Sequence, residues 1–233
     1  MTQTLKFAMI IFTCLLVSCA NRVSDQYLIH YLQIKITFNG SLTSNAQQAS
    51  NYILVLSDQA DINVPEVNEY LFTPGKAYDE FSLTLQAKTE TPLSTYYNDY
   101  FQSWAGYIYL SKNTVEYIHH APKFPATADT NTHHQFLPSL SFDPVTYQIS
   151  NKTLTLTIDS SQLNIDQDET VYLKLLSVRR DNINQSESGI LIKRTEESIS
   201  IKNRLHESIE GSDFSVDNIN GYEDFISWDI QII

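Results

Sequence analysis

Apolar residues fall at every second position in one block of this chain after another. Leu32, Ile34, Ile36 and Phe38 alternate with Gln33, Lys35 and Thr37, and Leu154, Leu156 and Ile158 alternate with threonines. Near the C-terminus Ile226, Trp228, Ile230 and Ile232 repeat the pattern. Successive side chains on a strand point to opposite faces, so a period of two marks a strand with one dry face and one wet face. A chain patterned this way has to pair its strands and bury one side of the resulting sheet.

The remaining blocks extend the same reading. Residues 27–38 form a strand that ends at the Asn39-Gly40 turn signal. Residues 52–56 are a compact apolar run, too short for a helix, and read as a central strand. Residues 70–73 form a short strand before Pro74-Gly75. Phe81, Leu83 and Leu85 mark another. The second half of the aromatic stretch 96–110 is a long strand, with Trp104, Gly106, Ile108 and Leu110 on one face and Tyr107 and Tyr109 on the other. Residues 115–119 follow across a turn at Lys112-Asn113. The proline-containing segment 121–132 is a long loop, and Pro138 marks 136–142 as an edge strand or a turn-rich link.

Residues 145–149 and 153–158 are hairpin partners across Ser150-Asn151. Residues 171–178 place Val171, Leu173 and Leu175 on one face and Tyr172, Lys174 and Leu176 on the other. Residues 181–188 read as a polar turn region, 190–192 and 199–201 as short apolar segments, and 225–232 as the closing strand. Only 66–71 and 204–210 have a faintly helical pattern. About ten short strands with little helix predict an all-β fold, an antiparallel β-sandwich spanning 27–233 as one domain. A membrane-spanning β-barrel fits less well, because the strands are short and irregular and no consistent lipid-facing band recurs.

The first 19 residues follow a different logic. Lys6 precedes an apolar run from Phe7 to Val17 that only Thr13 interrupts. That run is too short to cross a bilayer and reads as a signal peptide. It ends in Leu16-Val17-Ser18-Cys19, which resembles the lipobox of bacterial lipoproteins. The resemblance implies removal of 1–18 and diacylglycerol on the Cys19 sulfur. It also implies a lipidated cysteine with a short tether over 19–26. Two or more acyl chains anchor a protein stably. Ala20 is not the aspartate that retains such proteins in the inner membrane, so the resemblance points to the outer membrane of the cell envelope. The rest of the chain resembles other secreted β-sandwich lipoproteins in kind, without a motif that names a family.

Cys14 and Cys19 are the only cysteines, so no disulfide is available to the mature domain. The formal charge of −12 disfavours nucleic acid, which selects for basic patches. It suits a soluble domain held beside a membrane.

Three groups of residues carry candidate chemistry. Tyr96, Tyr97, Tyr100 and Trp104 supply flat apolar faces with polar edges, suited to stacking on a glycan or gripping a peptide; aromatic residues are also ordinary strand material, and Trp104 is equally a core residue. His119, His120, His133 and His134 flank the proline-containing loop and could begin a zinc or copper site. Asp58, Asp61, Asn63 and Glu66 form one acidic loop, and Asn164, Asp166, Asp168 and Glu169 another. Calcium wants six to eight oxygens on a tight turn, and the second loop lacks the central glycine of an EF-hand. Exposed polar residues and solvated turn carboxylates account for both groups without a metal.

No nucleophile elbow, Walker loop or dinucleotide turn occurs, and no cofactor is expected. The expectation is a membrane-anchored, non-catalytic binding or adhesion module. A structural component docking on another envelope protein is the alternative, and a hydrolase assembled from loops the third.

Overall fold

The computed structural model describes residues 30–43, 49–72, 99–111, 114–120, 136–138, 145–163, 165–182, 185–213 and 219–233. The expected strand at 81–85, the loop at 121–132 and everything before His30 lie outside them.

Thirteen strands follow in order among the described residues: β1 (Tyr31–Phe38), β2 (Ser50–Ser57), β3 (Tyr70–Phe72), β4 (Gly106–Ser111), β5 (Thr114–His120), β6 (Phe136–Pro138), β7 (Val145–Ser150), β8 (Thr153–Asp159), β9 (Thr170–Asn182), β10 (Gln185–Arg194), β11 (Ile199–Lys202), β12 (Ser208–Ser212) and β13 (Phe225–Ile232). They build two antiparallel sheets. One has five strands in the order β12-β13-β1-β8-β7. The other has eight, in the order β3-β10-β9-β2-β4-β5-β6, with β11 pairing β9 beside this path. The fold is the expected all-β sandwich.

The alternating residues explain the packing. Leu32, Ile34, Ile36 and Phe38 of β1 meet Leu154, Leu156 and Ile158 of β8 and Ile230 and Ile232 of β13 on the inner face of the five-stranded sheet. Tyr52, Leu54, Leu56, Val171, Leu173 and Leu175 face them from the other sheet. Each large apolar side chain buried this way contributes about 1.5–3 kcal/mol relative to exposure.

The eight-stranded sheet is dry on its other side as well. Ile53, Val55, Tyr107, Tyr109, Leu176 and Val178 form a second cluster, covered by Ile62, Val64, Leu71, Phe101 and Trp104. β2 is therefore buried at every position, which is why its middle, 52–56, is a continuous apolar run.

Four expectations change. Segment 66–71 is a tight turn leading into β3, with Asn68 at φ 74° and the Glu66 N–H donating to Glu69 Oε2 at 2.9 Å. Segment 204–210 is also a turn, with His206 at φ 68°, running into β12; pairing with β13 decides its conformation. Segment 181–188 carries no broad polar turn: β9 runs on to Asn182 and β10 begins at Gln185. Trp104 lies before β4 and packs with Tyr107, on the opposite side from Ile108 and Leu110.

β13 departs from strict alternation in one place. Thr37 pairs Ser227 whereas Phe38 pairs Phe225, so Ile226 is an extra residue. The bulge brings Phe225 into the core in its place. Just upstream, Gly40 and Gly221 pack backbone on backbone. The Gly40 N–H donates to the Gly221 carbonyl at 2.7 Å, and a Cβ on Gly40 would stand 2.7 Å from that carbonyl carbon.

Candidate functional site

The residues singled out in sequence do not assemble into one site. Tyr96, Tyr97, His133, His134 and Cys19 lie outside the described residues. Tyr100 is half-buried, and burial, with Glu69 and Asp99 nearby, raises its phenol above the ordinary value. Trp104 is 2% exposed. Its ring meets Phe101 and Tyr107 edge-on at 4.9 and 5.6 Å, and its Nε1–H donates to the Asn63 carbonyl at 2.8 Å. Trp104 is thus a core residue with no face left for a sugar.

His119 and His120 stand on β5, opposite Leu137 and Phe136 of β6. Asp58 and Asp61 are exposed, as are Asp166, Asp168 and Glu169. The backbone N–H of Asn63 is taken by Ser103 Oγ. Among the described residues no three His, Cys, Asp or Glu side chains gather as a metal site. The acidic loops stand on separate turns and do not converge, and Glu66 of the first pairs with Arg194 Nη2 at 2.6 Å.

The strand registers create a different surface. On the outer face of the five-stranded sheet the polar partners of the core residues line up in three rows across the strands. Ser208, Gln231, Gln33, Thr157 and Thr146 make the first; Glu210, Asp229, Lys35, Thr155 and Gln148 the second; Ser212, Ser227, Thr37, Thr153 and Ser150 the third. None of these side chains is buried. Strands spaced ~4.8 Å apart and rows ~6.8 Å apart set the pitch of this grid. Gln231 Nε2 donates to Gln33 Oε1 at 3.1 Å across it. A shallow depression of about 500 Å³ lies over β12, β13 and β1, lined by Lys35, Thr37, Glu210 and Asp229 among others. Chemically the face offers hydroxyl and amide groups, each able to donate and accept. The three rows carry one cation and two carboxylates, and Asp159, next after Thr157 on the same side of β8, adds a third carboxylate.

A second polar feature closes one end of the sandwich. The acidic pair Glu223 and Asp224, in the turn before β13, reaches across to the other sheet. Glu223 is fully buried. It accepts from Arg179 Nε at 2.9 Å, Arg179 Nη2 at 2.5 Å, Ser50 Oγ at 2.9 Å and Asn220 Nδ2 at 2.8 Å. Burial pushes its carboxyl up, but the hydrogen bonds from Arg179, Asn220 and Ser50 outweigh burial and hold it below the ordinary carboxylate value. Beside it, burial and then the Glu223 charge drive the Tyr52 phenol strongly upward. Asp224 pairs with Lys193 of β10, and Asp213, just past β12, touches the same ammonium.

Sequence reading missed both acids, because a Glu-Asp pair among Gly and Asn residues looks like a solvated turn. The available signal was the set of cations within strands: Lys174, Arg179, Arg180 and Lys193 are rare charges in otherwise apolar runs. Comparisons with protein-family models, curated proteins and solved structures found no match. The functional reading therefore rests on this chain's own residues.

Proposed function

We propose that this chain is a lipid-anchored bacterial envelope protein whose β-sandwich is a non-catalytic module binding a neutral glycan on the outer face of its five-stranded sheet. The observation that carries the ligand class is the grid itself: fifteen polar side chains in register, seven exposed and eight half-buried, twelve of the fifteen hydroxyls or amides. Such a face recognises a ligand by hydrogen bonds. Hydroxyls and amides outnumber the charged groups of this face, which favours an uncharged polyol as ligand. The lipobox-like Leu16-Val17-Ser18-Cys19 supports the anchor and, with Ala20, the outer membrane.

The full chain in detergent micelles, titrated calorimetrically against neutral and acidic envelope oligosaccharides, tests the ligand class. A neutral oligosaccharide binds, with little change on raising salt, because charge contributes little. A hydrogen bond contributes about 0.5–1.5 kcal/mol net. Replacing Gln33, Thr155 and Gln231 together by alanine therefore weakens binding about tenfold or more. No oligosaccharide binding, or unchanged binding by the triple variant, defeats this reading.

The anchor has its own test. Wild-type chain incorporates labelled fatty acid and pellets with membranes, whereas Cys19→Ser accumulates as an unacylated precursor. Acyl label on Cys19→Ser would remove Cys19 from the account.

A further inference from the structure

We propose that Lys193 and Asp224 become joined by an intramolecular amide bond, with Asp213 serving the proton transfers. The modification would staple the two sheets at the end where the last strand begins.

Lys193 is held between two carboxylates in a nearly dry setting. Lys193 Nζ lies 2.5 Å from Asp224 Oδ1, and both side chains are nearly sealed from water, at 3% and 4% exposure. Asp213 Oδ2 lies 3.2 Å from the same nitrogen and is itself 25% exposed, giving protons and water a route out. Asn39 Nδ2 donates to the other oxygen, Asp224 Oδ2, at 3.2 Å and orients the carboxyl. The Phe225 ring stands 5.3 Å from Nζ and keeps that side apolar.

The fold aims these groups at one another. Leu191 pairs Val178, while Lys193 pairs Ser177, so β10 bulges at Ile192. Without the bulge Lys193 would share the outer side with Leu191 and Val178, which belong to the second cluster. With it, Lys193 turns toward the five-stranded sheet. Asp213 and Asp224 are brought together because β12 pairs β13: the Asp213 N–H donates to the Ile226 carbonyl at 2.9 Å. The Asp224 carbonyl accepts from the Asn39 N–H at 2.8 Å, fixing the backbone from the other side.

The step balances without any co-reactant. The Lys193 ammonium gives one proton to the Asp224 carboxylate it touches, leaving a neutral amine beside a neutral carboxylic acid while Asp213 stays ionised. The amine lone pair adds to Asp224 Cγ, forming the N–C bond and a tetrahedral intermediate. Asp213 accepts the second nitrogen proton and returns one to the departing hydroxyl. The C–O bond breaks, water leaves, and one amide replaces one ammonium and one carboxylate. Holding both partners in contact removes the entropic cost of a bimolecular condensation, and positioned proton transfer supplies the acid–base component. A dry site favours the neutral amide over two buried charges. In a mature chain without a cysteine pair, such a bond would supply a covalent link between sheets.

Tryptic mapping of the denatured full chain decides the matter. No Lys or Arg follows Arg204, so Asp224 sits in fragment 205–233. If the amide forms, fragment 181–194 is recovered joined to 205–233, one water lighter than the two together, and backbone fragmentation places the branch at Asp224. Separate linear fragments ending at Lys193 and Ile233 overturn the proposal and leave a buried ion pair. This reading needs no variant to fold. Asp213→Asn, checked for native circular dichroism, keeps both reacting groups and should lose most of the branched fragment. Branching at the wild-type level would remove Asp213 from the mechanism.

Discussion

Arg179→Ala destabilises the sandwich by about 3–5 kcal/mol in chemical denaturation, more than Glu223→Gln does. The order is not the one that exposure suggests, since the Arg179 side chain is 45% exposed and Glu223 is sealed. Removing the arginine leaves a buried carboxylate without its cation, held by Ser50 and Asn220. Removing the charge of Glu223 instead leaves an arginine that can rehydrate, and the glutamine amide can still meet Ser50. A larger loss for Glu223→Gln would show that the carboxylate is better solvated than the geometry implies.

The same pair sets a pH dependence. The Glu223 carboxyl is held below its ordinary value of 4.5 in the folded state. Over that interval the unfolded chain binds more protons, so stability rises with pH. The contribution is complete above the ordinary value and is lost as pH falls through the lowered one. Wild-type stability should show this acid limb, and Glu223→Gln should flatten it. Arg179→Ala should begin to unfold at higher pH than wild type, because burial then acts on the carboxyl with less opposition.

Trp104→Ala carries a comparable loss, about 3–5 kcal/mol, the usual range for emptying a buried aromatic site. In a chain of this size that lowers the melting temperature by on the order of 10 °C. The indole is held by rings on two sides and by the Asn63 carbonyl, so Trp104→Phe should recover most of the loss, less about 1 kcal/mol for the missing hydrogen bond. A cost below about 1 kcal/mol for the alanine variant would return Trp104 to the surface and restore the stacking reading.

Trp104 also shows where sequence reading reaches its limit. β1, β8 and β9 are legible because each carries a regular alternation, and on β9 Val171, Leu173 and Leu175 do enter a different cluster from Tyr172 and Leu176. The alternation fails at Trp104, since the strand starts only at Gly106 and the preceding turn folds the indole back. β12 is illegible for a related reason. Ile209 is its one large apolar residue, and the strand exists because β13 pairs with it. Bulges at Ile226 and Ile192 change which residues face the core, and a single-residue insertion leaves no mark in composition.

The polar grid was half legible. Each strand shows its own row of threonines, serines or glutamines, but their alignment depends on registers between segments up to 198 residues apart. The Glu223–Arg179 and Asp224–Lys193 contacts were hidden altogether, because they join loops and strands 44 and 31 residues apart in sequence. Local pattern reports which face of a strand is wet; it does not report which distant charge will be buried beside it.

The outer face of the five-stranded sheet is the proposed ligand surface. Chemical-shift mapping of the full chain with the tightest-binding oligosaccharide tests it most directly. Perturbed amides are expected on β1, β8 and β13, centred on Gln33, Thr155 and Gln231. Perturbations confined to the 99–105 turn or to the eight-stranded sheet would contradict it.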